Sequence, residues 1–470
     1  MVRSLLCSLV IFTGTSAFAV GQPLDPSDPI APSAPPVSEN TQRLPAGEST
    51  DTSAARGTVP ITGNPAAVNI VAGTGKLGEI LFGLQDESAL RLGGLWIGDA
   101  SWLASGGRQP GLWSLNSLAV VDLSVDAEKW GGPKGGMFGT QFLQYTGQPT
   151  NGPAGVVQGY DSLNVVPPFT RQELYQLWWR QSLLDNKLIV RVGKMVPTYD
   201  FNNVLRPSPT SDPEATIPAV SGLIFTPAFV NPTILGKIPG YYNSASGITI
   251  TGTPTDRTYI SYGIYDGNLA AGEQTGLRGP QFNGYYFNIG ETGVYWELGS
   301  QKKPGMSAVG VWGQTGQLNA FNGAVVDGAQ GFYTFGSQRL WFRHHGIDNS
   351  GISGFWQFGA NNTNTSFARQ YYGGGLTAFG LIPQRASDSM GFGMAWSILN
   401  GDPGAGVPFS DDPDNPQPLR DNELILQWYY QMNVTHGVFF QPTVTYVPNP
   451  GQQPDIPAAL AVTLRLTILF

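Results

Sequence analysis

The stretch Leu460–Phe470, LAVTLRLTILF, decides the fold. Leu460, Val462, Leu464, Leu466, Ile468 and Phe470 fall on one side of an extended chain. Ala461, Thr463, Arg465 and Thr467 fall on the other, and only Leu469 breaks the rule. Successive side chains of a strand point to opposite faces, so this is a strand with one apolar and one polar face. An amphipathic edge strand of a soluble sheet shows the same pattern. A transmembrane barrel strand shows it for a different reason: its apolar face meets lipid and its polar face meets a wet lumen.

The other end of the chain favours the membrane. Arg3 is a positive start, Leu5–Phe12 is a short apolar run, and Ala17-Phe18-Ala19 is a small-residue cleavage site. These are the parts of an export signal, so residues 1–19 are expected to be removed and the mature chain to begin at Val20. The apolar run is shorter than the ~20 residues a spanning helix needs. The single cysteine, Cys7, lies inside this signal. The mature chain is therefore expected to lack thiols, disulfides and cysteine-based metal sites.

Residues 20–65 are rich in Pro, Ser, Thr, Ala and Asp and cannot bury enough apolar area to offset the entropy of ordering. They are expected to form a flexible periplasmic leader, followed by a short pre-barrel segment at 66–89. From Leu90 to Phe470 the chain repeats one pattern. Stretches rich in Tyr, Trp, Phe, Val and Ile alternate with Gly, Pro, Asn and Asp clusters. Counting gives about sixteen stretches, two either way, and barrels of 16–18 strands leave an aqueous channel. The expected fold is all-β, a transmembrane antiparallel β-barrel of the outer-membrane porin type. Proline-containing stretches at Gly147–Pro168, Asn203–Ala219 and Gly401–Arg420 are expected long loops, because proline cannot donate to a ladder.

Alternation then selects inward side chains. In Ala119–Glu128 the alternation sets Asp122 and Asp126 opposite Val121 and Leu123. By the same reading Arg91, Arg191, Glu297, Arg339, Trp341, Arg343, Glu423 and Gln427 line the lumen, since an arginine against mid-bilayer lipid costs ~2–4 kcal/mol. Arg171, Glu173 and Tyr175 share a face of the next strand, with Gln172 and Gln176 on the opposite one. A selective pore needs polar side chains beside aromatic rings, to hydrogen-bond a solute and to stack on it. Trp341 flanked by Arg339 and Arg343 is therefore the preferred aromatic element, and all twelve residues are pore-lining, substrate-binding candidates.

Several long stretches also resemble, in order, the carbohydrate-selective porins of the OprB family. They are LRLGGLWIGDASWLASGG (90–107), NSLAVVDLSVDAEKWGG (116–132), FGTQFLQYTGQPTN (138–151), RQELYQLWWRQSLLDNKLIVRVGK (171–194), FGSQRLWFR (335–343) and LRLTILF (464–470). The resemblance covers about residues 85–470 and implies a sixteen-stranded outer-membrane barrel for passive, selective diffusion of sugars, often glucose. Sugar selectivity rests on this resemblance alone. A terminal Phe470 is what the barrel-assembly machinery of Gram-negative outer membranes recognises. The expected partners are therefore sugars, outer-membrane lipid and lipopolysaccharide, and that machinery, with the chain monomeric or homotrimeric.

Other classes fare worse. The net charge of −8 lacks the basic footprint that nucleic acid requires. There is no G-x-S-x-G, P-loop or H-E-x-x-H, so no enzyme activity, metal or cofactor is expected. Asp411 and Asp412 read as a solvated loop. A general diffusion pore, a barrel-borne lipid hydrolase and a secreted polysaccharide-binding β-protein remain the alternatives.

Overall fold

The computed structural model describes residues 73, 75–84, 88–161, 163–165, 169–203, 230–239, 243–272, 279–345, 350–362, 364–400, 419–435 and 437–470. The proposed signal, the leader, most of the 203–219 loop and nearly all of the 401–420 loop lie outside them.

Sixteen strands form one closed antiparallel barrel. They begin with β1 (Leu90–Ser105), β2 (Trp113–Asp126), β3 (Gly136–Thr146), β4 (Thr170–Leu183) and β5 (Leu188–Met195). Next come β6 (Ala245–Thr255), β7 (Thr258–Asp266), β8 (Tyr286–Leu298), β9 (Lys303–Asn319) and β10 (Val325–Phe342). The circuit ends with β11 (Gly351–Asn361), β12 (Ala368–Phe379), β13 (Ser389–Leu399), β14 (Asn422–Thr435), β15 (Val438–Val447) and β16 (Ala459–Leu469). Each strand pairs with its sequence neighbours, and β1 pairs with β16 to close the circle. Closure leaves no sheet edge, so the backbone donors and acceptors at membrane depth find partners within the sheet. A short helix, α1 (Lys76–Phe82), precedes the barrel.

The Leu460–Phe470 stretch is β16 and its end. Leu464 is 36% exposed on the outer face, whereas Arg465 is 4% exposed on the inner. This inverts the soluble pattern: the polar residues are buried and the apolar ones face outward. Val309, Val311, Phe332, Trp356, Trp396 and Trp428 are likewise exposed on the outside. Asp122, Glu173, Gln176, Thr377, Glu423 and Gln427 are almost fully buried within. The outward aromatics include a run from Phe358 to Tyr372 to Trp396 across β11, β12 and β13, with ring centroids 5.0 and 5.4 Å apart.

The two rims differ. On one, strands are joined by the tight connections 184–187, 256–257, 299–302 and 436–437. On the other lie 147–169, 196–244, 267–285 and 400–421. The Gly147–Pro168 and Gly401–Arg420 expectations correspond to two of these. The second expected loop is part of a longer connection that starts just after β5.

Candidate functional site: a lumen narrowed by inward-folded segments

Parts of the long connections turn back into the barrel and are held to its wall. The 147–165 segment carries a one-turn helix, α2 (Asn151–Ala154), and is pinned at several points. Glu423 accepts the amides of Val157 and Gln158 at 2.9 and 2.8 Å, and that of Gly451 at 2.6 Å. Gln427 Nε2 donates to the Tyr160 carbonyl at 3.0 Å. Further round the wall, Ser101 donates to Asp161 at 2.9 Å, and Arg465 binds Asp99 while lying 3.8 Å from Asp161. Leu163 and Val165 then pack against Ile97, Leu118, Val120 and Leu143, an apolar cluster inside the barrel.

The connection after β5 is fixed in two places. At its start, Asp200 pairs with Arg191, and the Asn202 amide donates to Glu291 at 2.7 Å. Glu291 also accepts the hydroxyls of Tyr259 and Tyr333, each at 2.6 Å. Its second part, 230–239, lies on β11 and the β11–β12 turn. Asn361 donates to the Thr233 carbonyl at 2.8 Å, and Lys237 Nζ to the Thr365 carbonyl at 3.0 Å. Gly359 permits this approach, since a Cβ there would sit 2.2 Å from the Asn231 amide nitrogen. Burial drops the Lys237 ammonium from its usual 10.5 to about 8.

Seven of the twelve candidates enter inward contacts of this kind. Arg91 pairs with Asp122 at 3.1 Å, which also accepts from Gln141 at 2.8 Å. Arg171 pairs with Glu173 at 2.7 Å and reaches Asn243 at 2.9 Å. Arg191 pairs with Asp200, its guanidinium 5.8 Å from the Trp178 ring centre. Glu423 and Gln427 hold the 147–165 segment. The β4 orientation, open in the sequence, is settled by a register shift opposite Gln141/Phe142. Arg171, Glu173 and Tyr175 face in, and beyond the extra residue Gln176 and Trp178 do so as well.

The rest divide differently. Asp126 ends β2 and accepts the amides of Glu128 and Lys129 at 3.0 and 3.2 Å, a turn-capping arrangement. Glu297 is exposed near the end of β8. Arg339 is buried on the inward face. The placement of Trp341 is a correction. A β-bulge between Arg339 and Trp341 inserts one extra residue, so Arg339 pairs with Ser353 but Trp341 with Ile352. Leu340 and Trp341 both point outward, Trp341 being 45% exposed, and Phe342 turns in beside Arg339. Arg343 lies beyond the strand and donates to the carbonyls of Gly380 and Leu381 at 3.0 and 2.9 Å. Strict alternation thus fails for the Arg339–Trp341–Arg343 trio.

Asp99, Asp161 and Glu291 were missed. Asp99 and Glu291 were within reach of the same alternation, since Asp99 alternates with Gly98 and Ala100, and Glu291 with Gly290 and Thr292. Asp161 had no such signal because it lies in a connection.

A closed barrel with an apolar outside, a polar inside and connections folded into its lumen defines an outer-membrane porin. Residues 118–470 match the family described as carbohydrate-selective porin, OprB family. The chain belongs to that family: it is a carbohydrate-selective porin of the Gram-negative outer membrane. It is 24% identical over 332 residues to Porin B of Pseudomonas aeruginosa, covering 63% of this chain and 68% of the relative. Two solved structures share the fold. The high-pH structure of Pseudomonas putida OprB aligns with a TM-score of 0.68 and 18% identity, over 81% of this chain and 94% of that one. The low-pH structure aligns at 0.52 and 14%, over 85% and 99%.

Proposed function

We propose that the channel passes monosaccharides such as glucose into the periplasm by passive diffusion, and that the pinned inward segments set which solutes pass. The observation that carries this reading is the pairing of lumen charges. Arg91, Arg171, Arg191 and Arg465 each meet a carboxylate. Pairing cancels much of the local field, so the wall offers hydrogen-bonding groups without strongly favouring an ion of either sign. That suits a neutral, hydroxyl-rich solute, held weakly enough to leave. The tight turns would face the periplasm and the long connections the exterior, as in other barrels of this kind. The outward aromatics would meet lipid and lipopolysaccharide, Phe470 would engage the assembly machinery, and the barrel would act as a monomer or homotrimer.

Liposome swelling with the purified full chain tests the reading. Swelling rates are expected to fall more steeply from monosaccharide to trisaccharide than size alone dictates, and glucose is expected to block ion current saturably in planar bilayers. Rates that track solute size alone, for sugars and amino acids alike, would make it a general diffusion pore.

A further inference from the structure

Four buried or half-buried arginines of the lumen wall have a carboxylate partner, and Arg339 does not. It is 5% exposed, its Nη1 has no acceptor, and no described carboxylate pairs with it. Two aromatic rings hold it instead, with the guanidinium carbon 5.0 Å from the centre of Phe342 and 5.7 Å from that of Phe379. The bulge after Arg339 creates this setting by rotating Phe342 inward in place of Trp341. Across the sheet in the same row lie Ser353 on β11 and Thr377 on β12, both buried, and Thr377 Oγ1 also lacks a partner. A cation and two ring faces therefore meet near the tight-turn rim, with two hydroxyls in the same cross-strand row.

We infer that this cluster is a subsite for the carboxylate of an acidic sugar such as a hexuronate. A buried guanidinium without a counter-charge is costly. A sugar hydroxyl satisfies its N–H groups but leaves the charge uncompensated. A carboxylate does both, with the fork geometry that guanidinium matches. The hydroxyls of Ser353 and Thr377 supply further donors, and the half-buried Phe342 ring offers a face for the apolar side of the sugar. The inference rests on the sugar-channel reading and adds acidic sugars to the neutral ones that the charge-paired stretches of wall suit.

Ion current through the full chain in planar bilayers is titrated with glucose and with glucuronate, which differ at C6. Wild type is expected to bind glucuronate the more tightly. In Arg339→Gln the glucuronate-to-glucose affinity ratio should fall about tenfold, the effect of losing one charged hydrogen-bonded contact. Arg339→Lys should retain part of the preference. Ser353→Asp keeps the arginine and places a carboxylate across from it, so it should also remove the preference, and it carries the test if Arg339→Gln fails to assemble. A wild type that prefers glucose, or a ratio unchanged in the variants that assemble, overturns the subsite. Block by neither sugar overturns the sugar-channel reading beneath it.

Discussion

Inside this barrel most charged residues are answered by another group, close in sequence for Arg171 and Glu173 and remote for others. Asp99 and Arg465 are separated by almost the whole barrel sequence, yet they pair across the β1–β16 seam. Alternation showed which way a side chain points but not what it meets: it found Arg91, Asp122 and Glu423, but neither the Arg91–Asp122 pairing nor the backbone amides that Glu423 collects. It also fails where one residue is inserted, as at Trp341. Lys237 offers a test at this scale. Its folded value, about 8, lies below the ordinary 10.5, so between these two pH values the unfolded chain binds more protons and stability rises with pH. Below about 8 the ammonium is charged and adds a positive group to the lumen. Raising pH from 7 to 9 is expected to shift the zero-current potential in a salt gradient toward cation selectivity. Lys237→Met should remove most of that shift. An equal shift in both proteins would take Lys237 out of the ion path.

Among elements, the decisive one is a connection with little regular structure. The 147–165 segment has one turn of helix, and its position depends on Glu423 collecting two of its backbone amides, with that of Gly451 as a third partner. Hydrogen bonds to a charged group contribute about 1.5–3 kcal/mol each. Glu423→Ala should therefore release part of the segment while leaving the sheet intact. Single-channel conductance is expected to rise and become noisier, discrimination between mono- and trisaccharides to weaken, and proteolytic nicking between residues 155 and 160 to speed up. Unaltered conductance and sugar discrimination would mean that the segment does not define the passage. Proline content marked this stretch as a loop, but a loop outside the barrel and one folded into it have the same composition. The difference lies in acceptors supplied by β14, far along the chain.

At the scale of the molecule, everything depends on closing the circle. At the seam Gly94 exchanges two backbone hydrogen bonds with Phe470, at 2.8 and 2.9 Å. A Cβ on Gly94 would lie 2.2 Å from the Val120 carbonyl oxygen and 2.6 Å from the Phe470 ring. Gly94→Val is thus expected to impair closure, seen as loss of heat-modifiable gel mobility and of membrane-integrated protein. Gly290→Ala, where the nearest atoms are 4.0 Å away, should assemble normally. Normal assembly of Gly94→Val would show that the seam tolerates more adjustment than this packing implies.

The amino-acid sequence alone determined the period-two pattern, the sixteen-strand scale, the two-faced wall and the direction of most charged side chains. Those properties are local, because a strand's alternation depends only on its own residues and on the solvents at its two faces. Only the tertiary structure decided the bulge that turns Trp341 to the outside, the folding of connections into the lumen, and the pairing that leaves Arg339 without a carboxylate. Each of these depends on contacts between residues remote in sequence, and no local pattern encodes which of them meet.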